Sequence, residues 1–210
     1  MRIAGKGLID RAKPVSFRFD GRVYQGFEGD TLASALLANG VRLFGRSFKY
    51  HRPRGVLTAG SEEPNALVEV VEGDTQTPNV RATVQEIYPG LVAQSQNRFP
   101  SLKFDLLGIN DLAAPFLSAG FYYKTFMWPR AFWEKLYEPL IRRAAGLGRL
   151  IPKHDEAVYE KAFAFCDLLV IGSGPAGLMA ALTAGRAGAQ VILAEEEARA
   201  GGRLLASGGE

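Results

Sequence analysis

Cysteine is nearly absent from this 210-residue chain, with Cys166 the single one. One thiol excludes an internal disulfide framework, an all-cysteine zinc site and an iron–sulfur cluster held by cysteines of the same chain. It also fits a reducing compartment. Histidine is scarce: His51 and His154 have no companions at ligand spacing, so neither reads as catalytic or metal-binding. Long apolar runs are missing, and so is an N-terminal charged segment followed by an apolar one. A soluble cytoplasmic protein without a membrane partner is the expectation. A large excess of one charge is missing too. The net charge of +3 is too small to imply nucleic acid, and no stacking-aromatic motif accompanies it.

What remains is enough to fold. The hydrophobic fraction of 47% supports a core, and the length suits one or two domains. In "VSFRFDGRVYQGF", Val15, Phe17 and Phe19 alternate with polar residues before Asp20-Gly21, which predicts a hairpin with a two-residue turn. "GDTLASALLANG" predicts a helix with Asp30 as N-cap, a stripe of Leu32, Ala35 and Leu36, and Gly40 just past its end. "ALVEVV" predicts a strand ending at Glu72-Gly73-Asp74, and a last short strand is expected near Val80 to Val84. Hairpin, helix and further strands is the order of an α+β β-grasp (ubiquitin-like) domain, placed at 12–98.

Residues 99–164 read as an aromatic-rich helical connection. In "FYYKTFMWPRAFWEKLYEPLIRRAAGLGRL", Trp133, Leu136, Tyr137, Leu140, Ile141 and Ala144 recur at helical steps, and Pro139 is expected to kink or split the helix. Such a stripe packs on a neighbouring element or, given the aromatic density over Phe121–Trp133, forms a subunit or domain contact. "IPKHDEAVYEKAFAFC" reads as a linker and short helix, with Cys166 a buried small apolar residue.

From 165 to 210 the pattern is more specific. "DLLVI" predicts a buried parallel strand, and Gly172-Ser173-Gly174-Pro175-Ala176-Gly177 a turn opening a helix that ends near Gly188. A second strand leads to Glu195 and Glu196. This is the full context of a Rossmann dinucleotide fingerprint. Gly172 permits the tight turn, Gly174 lets the backbone approach a pyrophosphate, and Gly177 lets the helix lie close to the strand. The helix N-terminus offers N–H groups to phosphate, and Glu195 offers acceptors to a ribose hydroxyl pair. A carboxylate there favours NAD or FAD over NADP, without deciding between the first two. Gly202 and Arg203, after Gly201, read as neighbours in a second glycine motif. A single strand–helix–strand unit cannot cover its own core, so a truncated or split product of a longer protein is expected, binding NAD weakly or not at all alone.

Over nearly its whole length the chain resembles the N-terminal part of the alpha subunit of heterotetrameric sarcosine oxidases. "GDTLASALLANGVRLFGRSFKYHRPRG", "LTAGSEEPNALVEV" and "AGFYYKTFMWPRAFWEKLYEPLIRRAAGLGRL" carry the resemblance together with the glycine turn. The resemblance implies a complex with beta, gamma and delta subunits that oxidises sarcosine to glycine with oxygen, giving hydrogen peroxide. With tetrahydrofolate it implies methylenetetrahydrofolate as product. It implies FAD in the beta subunit, FMN at the alpha–beta interface, and a tight, non-redox NAD in the alpha subunit. Gly172, Gly174, Gly177 and Glu195 then hold NAD, with Ser173, Pro175, Ala176, Glu196, Gly202 and Arg203 beside them; no catalytic residue carries over.

Related amine-oxidising subunits have a 2Fe-2S-ferredoxin-like β-grasp domain with the spacing C-x₄-C-x₂-C and a distant fourth cysteine. Thr58, Glu63 and Ala66 fall on the first three positions here, and Thr83 is the fourth. None offers a thiolate, so a β-grasp domain without a cluster is expected. Arg42, Arg46, Lys49, His51, Arg52 and Arg54 crowd one segment. They read as a solvated basic face, or as a contact to phosphates or to an acidic surface in this chain or the beta subunit. An iron–sulfur electron-transfer subunit, a related opine, proline or other secondary-amine dehydrogenase subunit, and an assembly scaffold without nucleotide remain the alternatives.

Overall fold

The computed structural model describes residues 2–3, 9–121, 126–144, 146, 148, 158–196 and 199–205. His154 and part of the aromatic run after Phe121 lie outside these residues, and of Arg203 only the backbone is described. The chain divides into two compact units, residues 1–153 and 154–210.

In the first unit, β1 (Asp10–Phe19) and β2 (Arg22–Glu28) form the expected hairpin. Val15, Phe17 and Phe19 are buried on one face. Asp20 and Gly21 take φ of 47° and 77°, so Phe19 pairs directly with Arg22. Two consecutive left-handed residues match the twist of the flanking strands.

Helix α1 (Leu32–Ala38) buries Leu32, Ala33, Ala35 and Leu36. Its N-cap is Thr31, not Asp30. Thr31 Oγ1 accepts from the Ser34 N–H at 3.2 Å while Ser34 Oγ accepts from the Thr31 N–H at 3.0 Å, a capping box. Asp30 is instead fully buried. It accepts from the Phe27 N–H (2.9 Å), the Ser34 hydroxyl (2.6 Å) and the Arg2 guanidinium (2.5 and 2.8 Å). Gly40 follows the helix with φ 79°, as expected. The close seat of α1 on the sheet depends on Gly26. A Cβ there would lie 2.5 Å from Ile87 Cδ1 and 3.0 Å from Ala35 Cβ.

Strands β3 (Gly45–Arg46) and β4 (Pro53–Arg54) pair antiparallel. The main sheet is completed by β5 (Leu67–Glu72), β6 (Thr75–Arg81) and β7 (Val92–Ser95). Among the described residues its order is β2-β1-β7-β5-β6, with β1 and β7 parallel and the other pairs antiparallel. This is a β-grasp sheet with α1 laid across it. The final strand is longer and earlier than Val80–Val84: it begins right after the Gly73-Asp74 turn, and residues past Arg81 turn away. There the Ala82 carbonyl accepts the Ala33 N–H at 2.7 Å, docking α1. Strand β7, at the centre of the sheet, was not anticipated. Its buried side chains are only Ala93 and Ser95, too small to register as an apolar strand.

Beyond the sheet, 3₁₀ turns cover Leu106–Asp111 and Arg130–Phe132. A π-helical turn, Trp133–Tyr137, then passes into α2 (Glu138–Ala144). The expected kink or split at Pro139 is seen as a change of helix type just before it, between Tyr137 and Glu138, in an unbroken helical run. Proline has no N–H to donate backwards, so the α-helical register starts around it. The stripe does not bury within its unit, since Leu136 and Leu140 are exposed.

In the second unit, residues 158–166 form neither helix nor strand, and the rest of the expected linker and short helix, 151–157, lies outside the described residues. Val158, Tyr159, Phe163 and Phe165 are exposed, so an amphipathic turn would have no surface to bury its face against. Strand β8 (Leu168–Ile171), helix α3 (Pro175–Arg186) and strand β9 (Val191–Ala194) make a parallel βαβ unit, with Leu168 opposite Val191 and Ile171 opposite Ala194. Leu169, Ile171, Met179 and Leu182 stay exposed on it. For the same reason Cys166 is half-buried rather than buried. Among the described residues no helix is long and apolar enough to cross a membrane.

Candidate functional site

The glycine turn is built by the strand ends on either side of it. Gly172 leaves β8 with φ 92°, and its N–H donates to the Ala194 carbonyl at the end of β9 (2.8 Å). Gly174 caps α3 with φ −65° and ψ 178°, offers no side-chain cap, and is followed by Pro175 in the first turn. The first N–H groups of this 12-residue helix therefore have no capping side chain. A Cβ on Gly177 would lie 1.9 Å from the Gly172 carbonyl oxygen. That position cannot carry a side chain without moving the helix off the turn. A Cβ on Gly174 would meet nothing within 4 Å. The two glycines thus do different work: Gly177 permits packing inside the protein, and Gly174 leaves space outside it.

Glu195 reaches the turn from the end of β9. Its Oε2 accepts from the Ser173 N–H (2.6 Å) and hydroxyl (2.5 Å), and its Oε1 accepts from the Glu196 N–H (2.9 Å). Ser173 is fully buried while Glu195 is exposed. The clamp from Ser173 was not foreseen; a serine between two fingerprint glycines gave no signal of it. Gly201 joins the same cluster, donating its N–H to the Ser173 carbonyl at 3.0 Å. A Cβ on Gly202 would lie 3.2 Å from Gly174 Cα. Arg203 follows in the 3₁₀ turn Gly202–Leu205. Gly172, Ser173, Gly174, Gly177, Glu195 and Gly202 are therefore brought together; Pro175 and Ala176 sit exposed on the first turn of α3.

The second candidate is the loop of residues 57–66. Glu63 is 1% exposed, and four backbone N–H groups converge on its carboxylate. Leu57 and Thr58 donate to Oε2 at 2.7 and 2.6 Å, and Asn65 and Ala66 donate to Oε1 at 2.7 and 3.1 Å. Burial pushes this carboxyl up, but the N–H groups of Thr58, Asn65, Leu57 and Ala66 outweigh it and hold the group below its ordinary range. Thr83 closes the loop from outside, donating its hydroxyl to the Gly60 carbonyl at 2.6 Å. Thr58, Glu63, Ala66 and Thr83 do come together. Their side chains are two hydroxyls, a carboxylate and a methyl, which do not fit a cluster that needs thiolates.

The basic segment divides between the two readings made of it. Arg42, Arg52 and Arg54 are exposed, whereas Arg46 donates to the Leu102 carbonyl at 2.7 and 3.0 Å. Arg52 pairs with Asp111 at 2.7 Å, and Lys49 lies over the rings of Tyr50 and Phe121. His51 is buried with Nδ1 2.7 Å from Asp105 Oδ2, and its Nε2 meets no hydrogen-bond partner among the described residues. The basic segment thus finds acidic partners in the chain itself, in the buried Asp105 side chain and the exposed Asp111.

Residues 12–98 match the 2Fe-2S iron-sulfur cluster binding domain family, and residues 167–210 match the FAD binding domain family. The sarcosine oxidase subunit alpha of Rhizobium meliloti (strain 1021) is 67% identical over 204 residues, 97% of this chain. The chain belongs to the sarcosine oxidase alpha-subunit family. Two further alpha subunits, from Corynebacterium sp. strains P-1 and U-96, are 36% and 35% identical, each over 96% of this chain. The chain spans 21% of the length of the first of these alpha subunits and 16% of the other two. Among solved structures, L-proline dehydrogenase from P.horikoshii aligns with 92% of this chain and 26% of its own, at 21% identity and a TM-score of 0.45. The chain itself joins a β-grasp unit to a segment that matches the FAD binding domain family.

Proposed function

We propose that this chain is the dinucleotide-binding portion of an alpha subunit in a heterotetrameric sarcosine oxidase, a flavin-dependent oxidoreductase acting on a secondary amine. The observation that carries the proposal is the open space at Gly174 beside a turn whose neighbouring glycine, Gly177, is closed by backbone. The turn thus closes on itself at Gly177 and leaves its outer side, at Gly174, open to an approaching ligand. We read the unit 165–210 as the start of a Rossmann-type domain, after a β-grasp domain over 12–98 that has lost its cluster and a connection over 99–164.

In this reading a dinucleotide supplies an anionic pyrophosphate and a ribose diol. The unpaired first-turn N–H groups of α3 face the phosphates, with the backbone at Gly172 and Gly174 free to approach them. Glu195 accepts from the ribose, and the Ser173 clamp fixes its orientation. Glu196, Gly202 and Arg203 border the site. The family resemblance favours NAD here, with FAD and FMN elsewhere in the complex, whereas the FAD binding domain match over 167–210 favours FAD. The dinucleotide released by denaturing the purified alpha subunit decides between them: one equivalent of NAD supports the first, and FAD in its place replaces it.

Sarcosine as donor, oxygen as acceptor, the tetrahydrofolate product and a cytoplasmic complex with beta, gamma and delta subunits belong to the same proposal. Their support is the 67% identity to a named alpha subunit. Oxygen consumption and hydrogen peroxide release by the assembled complex, with sarcosine compared against proline and opines, test it. Activity with proline alone moves the chain to the alternative dehydrogenase reading.

A further inference from the structure

The β-grasp unit raises a question that the nucleotide site leaves untouched. A loop that turns four backbone N–H groups inward makes a concave anion receptor, and unpaired inward amides are costly to bury. In a cluster-bearing relative such a receptor faces an anionic metal–sulfide group. Here the side chain at the second ligand position, Glu63, is long enough to fold back into its own loop and reach both pairs of amides.

We infer that Glu63 is a resident anion: its carboxylate occupies the receptor of the 57–66 loop and holds its shape without metal. This rests on the reading that the 12–98 unit carries no cluster. The two pairs of donors are divided between the two carboxylate oxygens, so the group is used bidentately along the chain, before and after itself. Backbone φ of −67° at Glu63 places no strain on that arrangement. The depressed titration of the carboxyl is consistent with an anion that is fully hydrogen-bonded although buried. The Thr83 bond to Gly60 adds a second tie, from the edge of the sheet to the 3₁₀ turn Gly60–Glu62. Position by position, the Glu63 carboxylate ties the loop to itself, and the Thr83 hydroxyl ties the loop to the end of β6.

Glu63→Gln is the informative variant. It keeps size and one carbonyl oxygen, but turns an N–H₂ donor toward one pair of backbone donors. Thermal unfolding of the chain at neutral pH is expected to shift down by about 10 °C. The gap to wild type should close as the pH falls through the wild-type carboxyl's titration, because protonation removes the same anion. A melting temperature equal to wild type, or a gap that ignores pH, overturns the inference. Should the variant not fold, amide hydrogen exchange on wild-type protein carries the same test. Slow exchange at Leu57, Thr58, Asn65 and Ala66 is expected, and exchange at open-loop rates overturns it. Iron and acid-labile sulfide analysis separates the two readings. Stoichiometric iron and sulfide overturn the cluster-free reading and the Glu63 role together. Iron-free protein with a silent Glu63→Gln overturns the Glu63 role alone.

Discussion

The loop at 57–66 and the turn at 172–177 both aim backbone N–H groups at a carboxylate, and they end in opposite states. In the first, Glu63 comes from within the loop, is buried, and takes up all four inward amides. In the second, Glu195 comes from a neighbouring strand, is exposed and clamps Ser173, while the first turn of α3 has no side-chain cap. A receptor filled by the chain itself has no capacity for an outside anion. A receptor only clamped at its edge keeps that capacity.

Breaking the open turn from inside gives the largest expected effect. Gly177→Ala puts a methyl 1.9 Å from the Gly172 carbonyl oxygen, a contact that only movement of α3 can relieve. Overpacking of this kind costs about 3 kcal/mol. Dinucleotide content of the purified alpha subunit should fall by more than about tenfold, together with its melting temperature. Wild-type nucleotide content in a stable Gly177→Ala variant would show that the turn is not as tight as described.

Gly174→Val sharpens the same contrast. Its backbone suits any residue, and its Cβ direction is empty. Stability should therefore hold within about 0.5 kcal/mol, as for surface changes generally, while dinucleotide content drops. Loss of both together would mean that Gly174 packs on the protein rather than facing a ligand.

The closed loop has its own signature in acid. The Glu63 carboxyl titrates lower in the folded chain than its ordinary 4.5, so its contribution is fully present above that value. It is lost as the pH falls through the depressed folded value. Wild type should therefore destabilise more steeply with acid than Glu63→Gln, read as the pH dependence of the melting midpoint. Parallel curves would remove the charge from the account.

Much of this was legible in the residues. The hairpin at Asp20-Gly21, the stripe of α1 and the glycine fingerprint each combine a local conformational demand with a period, and the folded chain meets them. Strand β7 was not legible, because a central strand whose buried residues are Ala93 and Ser95 carries no apolar alternation. The cap of α1 was misplaced by one residue because Asp30 and Thr31 are both good N-caps, and only burial assigns Asp30 to Arg2. The missing thiolates of 57–66 could be counted from the sequence. The use of Glu63 could not, since nothing in a spacing says which way a side chain folds back.

Ser173→Ala probes the edge of the open site more gently. It removes the hydroxyl bond to Glu195 Oε2 and leaves the Ser173 N–H in place. One bond of this kind is worth about 1 kcal/mol, or roughly fivefold in affinity. Dinucleotide retention should weaken by that factor, with the fold unchanged. A larger loss would make the serine a ligand in its own right rather than a clamp.

The smallest effect belongs to the basic segment. Arg52→Ala breaks the exposed pair with Asp111 and the stacking on Tyr50, yet stability should change by no more than about 0.5 kcal/mol. An exposed ion pair gains little over hydration and is screened by salt. The substitution is useful because of what it isolates. If assembly of the oxidase complex weakens while the chain's own melting midpoint stays put, then the exposed Arg52 meets an acidic partner. If neither moves, Arg52 belongs to a solvated face, tied down only by its own contact with Asp111.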